Sequence, residues 1–131
     1  MDKIIAAFAT VDGKTFVNRH FGDAEQYLIY EITPMEAQQL TIIRNTTEEE
    51  KTHADPNKAK SIGQLMKKRG VQVLVSKKFG ANLNRMKKQY VCVLISNDYI
   101  EDSLKTIQQN FERITNEWQK GSERHFLNLK G

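Results

Sequence analysis

The order of apolar segments in the second half of the chain is the feature that most restricts its fold. Apolar runs at residues 71–75 and 90–95 alternate with segments whose apolar residues recur every three or four positions. That spacing predicts helices, and strands separated by helices pair in parallel. The second half therefore predicts a parallel sheet covered by helices.

Three helices are predicted in this half of the chain. The first starts at residues 55–56, an Asp cap followed by Pro, and ends at Gly70. The second spans residues 79–88. The third is predicted as one helix that starts at an Asp98 cap, because Glu101 follows at capping-box spacing. Its apolar stripe is Ile100, Leu104, Ile107, Phe111, Ile114 and Trp118.

The first half predicts the antiparallel part of the sheet. Residues 4–9 are continuously apolar, which is typical of a central strand buried on both faces. A short strand is expected at residues 15–17, and strands at residues 27–32 and 38–44 form an antiparallel pair across Pro34. Residues 125–129 are expected to form a terminal edge strand. The predicted fold class is α/β, a three-layer α/β/α sandwich with a mixed sheet.

Length and composition favour one ordinary globular domain. The 131 residues, 39% of them hydrophobic, predict a single domain over residues 1–131. The single cysteine, Cys92, excludes an internal disulfide and any multi-thiolate site within one chain, and we expect it to be buried. No apolar run reaches membrane-spanning length and no signal peptide is recognised, so a cytoplasmic protein without membrane contact is expected.

Charge is segregated along the chain despite a modest net charge of +4. Residues 57–97 hold ten Lys and Arg and no acid, whereas residues 1–56 hold ten acids and five bases. Such a stretch can concentrate anions at the protein surface. Solvated lysines on helix exteriors are the other interpretation, and for Lys67, Lys68 and Arg69 both stay open.

Candidate binding residues follow the predicted strands. Ligands of open α/β sheets gather at the carboxyl ends of the parallel strands, and a helix start there offers free N–H groups to an anion. His20 is the metal-ligand candidate, because imidazole binds metals, although a loop histidine can also serve only its own turn. The full set is Asp12, Gly13, His20, Phe21, Gly22, Lys77, Lys78 and Gly80. His53 is a weak second-ligand candidate, and His125 is expected to be a surface residue.

The segment from residue 4 to residue 31 has a recognisable order. Ile4–Ala9 precedes Asp12-Gly13, then His20-Phe21-Gly22-Asp23, then the apolar run from Tyr27. This order resembles the nitrogenase iron-molybdenum cofactor biosynthesis (accessory factor) family. The resemblance implies a ribonuclease-H-like motif and a site for an iron-molybdenum or other metal-sulfur cluster, with His20 contacting the metal. In the family the loop after the middle parallel strand is richer in glycine, and here only Gly80 keeps that character beside Lys77 and Lys78.

The expected function is therefore a non-catalytic carrier of an anionic metal-sulfur cluster or its precursor, with a donor or acceptor protein as partner. The alternative is a regulatory or interaction domain without a cluster, which could bind nucleic acid through its basic segment. Nucleic acid is disfavoured as a partner because only Phe79 and Tyr90 could stack bases there. A nuclease is also disfavoured, since the central strands lack carboxylates for metal ions.

Overall fold

The computed structural model describes residues 1–45, 63–64, 66–81 and 83–130. These residues form a six-stranded sheet with the spatial order β3-β2-β1-β4-β5-β6. The strands are β1 (Ile4–Thr10), β2 (Gln26–Ile32), β3 (Ala37–Arg44), β4 (Val73–Ser76), β5 (Val91–Leu94) and β6 (Leu127–Asn128).

The sheet is mixed, as the sequence predicts. β1 pairs antiparallel with β2, which pairs antiparallel with β3. On its other side β1 pairs parallel with β4, and β5 and β6 continue in parallel. The apolar run of β1 fits this position, because a strand with neighbours on both edges and helices on both faces meets little water. The predicted terminal strand is confirmed as β6.

Helices cover both faces of the sheet, so the three-layer prediction is confirmed. Side chains alternate along β1: Ala6 and Phe8 join one core, whereas Ala7 and Ala9 join the other. The first core packs against α2 (Ile100–Gln109) and α3 (Phe111–Gln119). The second core packs against Met66 and against α1 (Leu83–Met86). The ribonuclease-H-like label stays a prediction.

The last helix differs from its prediction in two ways. It is divided into α2 and α3 at Asn110, where φ is −107° and ψ is 17°. The side-chain amide of Asn110 donates to the carbonyl of Thr106 (2.8 Å), which favours a helix end at that point. The N-cap is Tyr99 without a side-chain cap bond, so the predicted Asp98 capping box is wrong. Asp98 instead forms an ion pair with Lys77.

Two other predicted elements are shorter than expected. The helix predicted over residues 79–88 is reduced to α1, and Phe79 and Gly80 lie outside it. The strand predicted at residues 15–17 is only a pair of isolated bridges, from Thr15 to Tyr99 and from Phe16 to Thr10. Distant contacts are made at both places: Thr15 bridges to Tyr99, and Phe79 stacks on Phe21.

The first predicted helix is described only near its end. Residues 63, 64 and 66–68 are helical, and Gly70 has a φ of 71°, which suits the predicted glycine stop. The predicted start at residues 55–56, the predicted loop over residues 46–55 and His53 lie outside the described residues.

The single cysteine, Cys92, is buried in the sheet. Cys92 lies in β5 with no exposed surface, and burial raises the pKa of its thiol to about 12. A thiol with a raised pKa is a poor nucleophile at neutral pH. The expectation of a buried, apolar role for Cys92 is therefore confirmed. None of the described helices is both long and apolar enough to cross a bilayer.

Candidate functional site

The loops after the parallel strands meet at one edge of the sheet, the one formed by the carboxyl ends of these strands. His20 forms a parallel bridge with Lys78, two residues beyond the end of β4. The loop after β1 reaches the segment after β5, because the N–H of Phe16 donates to the carbonyl of Asp98 (2.9 Å). The edge predicted to gather the candidate residues therefore does bring His20 and Lys78 together.

His20 is held by its backbone, and its ring faces outward. Its carbonyl accepts from the N–H of Asp23 (2.9 Å), and the next residue, Phe21, donates from its N–H to the carbonyl of Lys78 (2.9 Å). The imidazole is 56% exposed, and its Nδ1 lies 3.8 Å from a carboxylate oxygen of Asp23. The ring is thus accessible to a ligand while a carboxylate faces one of its nitrogens.

Phe21 anchors the loop in the core. Its ring is buried, stacks on Phe79 with centroids 5.6 Å apart, and contacts the ring of Tyr27 at 4.8 Å. The hydroxyl of Tyr27 donates to the carbonyl of Phe21 (2.8 Å). Burial raises the pKa of Tyr27, so this hydroxyl keeps its proton and remains a donor.

The φ of Gly22 is not positive, although glycine would permit it. A Cβ atom built on Gly22 would meet no atom within 4 Å. The side-chain amide of Asn45 donates to the carbonyls of Gly22 (3.2 Å) and Ala24 (2.8 Å). The end of β3 therefore supports the His20 loop, a contact that local sequence spacing does not indicate.

Asp12 and Gly13 shape the turn after β1. The carboxylate of Asp12 accepts from the N–H groups of Thr15 and Lys14 (both 2.8 Å) and from the hydroxyl of Thr15 (2.9 Å). These bonds, those from Thr15 and Lys14 foremost, lower the pKa of Asp12 to about 2. Gly13 has a φ of 81°, which favours glycine. Both residues therefore serve the turn itself.

The two lysines at this edge differ. Lys77 is mostly buried, and its ammonium pairs with the carboxylate of Asp98. Lys78 is exposed and lies beside His20. Of these two lysines, Lys78 is therefore the one that remains available to an anionic ligand, and the sequence did not distinguish it from Lys77.

The remaining described cations of the basic segment lie elsewhere. Lys67, Lys68 and Arg69 precede β4, and Lys87 and Lys88 precede β5, so these five lie toward the amino ends of the two strands. Arg85 is exposed on α1, between β4 and β5. The cation-only stretch is thus divided between opposite edges of the sheet.

The predicted helix start beside Lys77 and Lys78 is wrong. α1 begins only at Leu83 and has four residues, and Phe79 and Gly80 precede it in irregular backbone. A helix this short carries little macrodipole, so a helix-terminus anion site is not supported here.

Gly80 packs directly against the imidazole. A Cβ atom built on Gly80 would lie 3.0 Å from Nδ1 and 3.3 Å from Cγ of His20. Cβ contacts this short require one partner to move, and the half-exposed ring can move more easily than the backbone. Gly80 therefore sets where the imidazole lies.

We expect Gly80→Ala to displace the His20 ring while costing at most about 1 kcal/mol of stability, since the ring can rotate into solvent. Two-dimensional NMR of the histidine ring protons should show His20 shifted and His125 unchanged. Gly22→Ala is the matched control, because a Cβ at Gly22 meets nothing within 4 Å and its φ is not positive. An unmoved His20 resonance in Gly80→Ala would contradict this packing.

His20 is the one imidazole among the site residues that the sequence predicts at this edge. Among the described residues, no group of three or more His, Cys, Asp and Glu side chains could hold a metal ion. A closed structural metal site needs about four protein ligands. The described residues therefore do not form a closed structural metal site.

The family model described as dinitrogenase iron-molybdenum cofactor matches residues 2–110. The chain belongs to this family. The match contains all of the predicted site residues, from Asp12 to Gly80, so the resemblance seen in the sequence is confirmed.

Solved structures show the same fold at low sequence identity. The crystal structure of a candidate dinitrogenase from Methanocaldococcus jannaschii is similar with a TM-score of 0.61 and 19% identity, covering 84% of this chain and 92% of that chain. The NMR structure of a candidate dinitrogenase from Methanococcus jannaschii has a TM-score of 0.56 and 16% identity, covering 85% and 92%. No curated protein matches the chain.

Proposed function

We propose that this family member is a non-catalytic carrier of an anionic metal-sulfur cluster, either the iron-molybdenum cofactor or a precursor. Membership of the dinitrogenase iron-molybdenum cofactor family supports the class of cargo. In this proposal the cluster is received from one protein and passed to another in the cytoplasm.

The observation that carries the proposal is the pairing of an accessible imidazole with an exposed ammonium. His20 is 56% exposed and bridges to Lys78 through the backbone. With Nδ1 facing Asp23, the other ring nitrogen, Nε2, is the one offered to a metal. Lys78 adds a positive charge for the sulfides, which a neutral imidazole does not supply.

A single protein ligand also suits transfer. Closed sites with several thiolates or imidazoles hold their metal as part of the folded structure. Here one imidazole on an exposed loop would share the cluster with solvent or with the next protein. Such a cluster would be held less tightly and could leave without unfolding the site.

We expect His20→Ala to weaken cluster uptake by at least about tenfold, since loss of even an outer-shell partner of a metal ligand typically costs about that much in affinity. The measurement is anaerobic incubation with an iron-molybdenum-sulfur species, followed by desalting, metal analysis and visible absorption. His125→Ala is the matched control, because its imidazole is 77% exposed at the other end of the chain. Equal uptake by wild type and His20→Ala would remove His20 from the proposal.

A second candidate is an interaction domain without a cluster. It is favoured by exposed Lys67, Lys68 and Arg69, none of which forms an ion pair with another described residue. Base stacking is disfavoured, since Tyr90 is buried and Phe79 stacks on Phe21. Salt-sensitive binding of a duplex DNA probe by protein that takes up no cluster would favour this candidate over the carrier.

A further inference from the structure

The outer edge of β3 is open, and two of the exposed side chains of this strand are apolar. β3 is the first strand in the sheet order, and no other described strand pairs with its outer side. Leu40 is 48% exposed and Ile42 is 46% exposed. β3 contains neither Pro nor Lys, two residue types that commonly prevent edge pairing. The strand can therefore accept a partner strand along its length.

A β-bulge changes the direction of hydrogen bonding along this edge. Ile29 pairs with Thr41 and Tyr30 pairs with Gln39, so Leu40 is an extra residue in β3. N–H and C=O groups of successive residues in a strand point alternately to the two sides. An extra residue shifts that alternation, so the two halves of β3 must be considered separately.

In the second half of β3, the direction follows from Asn45. Its N–H donates to the carbonyl of Glu25 (2.9 Å), so the backbone of Asn45 points toward the β2 side. Counting back by alternation, Arg44 and Ile42 point away from β2. Their N–H and C=O groups therefore face the open edge.

In the first half of β3, the direction follows from the turn between β2 and β3. The N–H of Thr33 donates to the carbonyl of Glu36 (2.8 Å), so Glu36 points toward β2. Counting forward, Ala37 and Gln39 point away from β2. Outward-pointing residues normally recur at every second position of a strand. Across the bulge, however, the next outward residue after Gln39 is Ile42, an odd number of positions further on.

We propose that two copies of this chain pair antiparallel through β3 to form a symmetric dimer with a continuous sheet. In that pairing Ala37 of one copy faces Arg44 of the other, and Gln39 faces Ile42, at both ends at once. A regular strand alternates without the odd step, so it could match only one half of this edge. A second copy carries the same bulge and matches both halves.

The side chains of β3 are compatible with this pairing. The same register places Leu40 opposite Thr41, near the two-fold axis, and no like charges face each other along the strand. Exposed apolar Leu40 and Ile42 of both copies would be covered. Isologous contacts of this kind close on themselves and do not propagate into fibres. The other end of the sheet is β6, which offers only two residues.

The first test is sedimentation velocity of the full chain over increasing concentration. We expect a species of twice the 15.1 kDa chain mass. Ile42→Lys should weaken the dimer by at least about tenfold, or about 1.4 kcal/mol, because two ammonium groups enter the interface. Met35→Lys is the matched control, since Met35 is 88% exposed in the turn beyond the ladder. A monomer at every concentration would overturn the proposal, as would an Ile42→Lys dimer as tight as wild type.

The second test examines the register by disulfide formation. Chains carrying Gln39→Cys and Ile42→Cys are mixed and oxidised, and we expect a cross-linked heterodimer, because directly opposed strand residues lie within disulfide reach. Gln38→Cys mixed with Ile42→Cys is the control, since the backbone groups of Gln38 point toward β2 and Gln38 is not opposite Ile42 in this register. The buried native Cys92 does not compete. Equal cross-linking in both mixtures would overturn the proposed register.

Discussion

Phe21→Ala is expected to lower the free energy of unfolding by about 3–5 kcal/mol, the usual cost of emptying a buried phenylalanine site. The ring of Phe21 is 1% exposed and contacts the rings of Phe79 and Tyr27. Its removal leaves both neighbours without packing on one side. The cavity also lies beneath the loop that carries His20, so the loss of stability should be largest where the candidate site is built.

Urea denaturation at equilibrium measures this cost, with Phe126→Ala as the matched control. Phe126 is exposed, so the same deletion there should change stability by no more than about 0.5 kcal/mol. Near-equal effects of the two substitutions would mean that the Phe21 ring is not an anchor. A large effect for Phe21→Ala alone would show that the loop is held by core packing as well as by backbone bonds.

The sheet could be predicted from the sequence because its strands carry their own signal. β1 and β4 are apolar on both faces, and this pattern follows from burial between two helical layers. The strand pairing of β2 and β3 also followed from two predicted strands on either side of a short turn at Pro34. These features depend on neighbouring residues and on the burial of apolar side chains in a core, so they could be predicted from local sequence.

The two helix errors arise where a side-chain contact outweighs apolar periodicity, in one case within the helix and in the other from a distant loop. The apolar stripe from Ile100 to Trp118 continues without interruption, yet the backbone breaks at Asn110, whose side chain competes for the carbonyl of Thr106. Asp98 has the spacing of a cap, but Lys77 attracts its carboxylate from a different loop. The contact of Asn110 spans only 4 residues, so it lies within a local window that the apolar stripe dominated, whereas the contact of Lys77 with Asp98 spans 21 residues and lies outside any such window.

The candidate site was predicted in part for the same reason. The sequence placed His20, Lys78 and Gly80 at one sheet edge, because topology alone gathers the ends of parallel strands. It could not show that Gly80 contacts the imidazole or that Lys77 is already paired. Those facts depend on how separate loops pack, and they decide which of two adjacent lysines is free to meet an anion.

Arg124→Ala is expected to cost about 2–4 kcal/mol, because hydrogen bonds from a charged group contribute about 1.5–3 kcal/mol each and are not additive. Arg124 is buried, and its guanidinium donates to the carbonyls of Trp118 (2.9 Å) and Lys88 (2.9 Å). It also lies 4.2 Å from the centre of the Trp118 ring. Burial lowers the pKa of Arg124, while the nearby Cys92 and Glu117 act to raise it. The guanidinium stays charged at neutral pH. It joins the end of α3 to the segment before β5.

Arg124→Lys separates charge from geometry in this contact. A lysine keeps the positive charge but has no planar fork to reach two carbonyls, so we expect it to recover less than half of the loss. Arg113→Ala is the control, since Arg113 is exposed on α3 and its replacement should be nearly neutral. Thermal and urea unfolding of the three variants would measure these differences. Full stability in Arg124→Lys would mean that charge alone holds the two segments together, and that the carbonyl contacts contribute little.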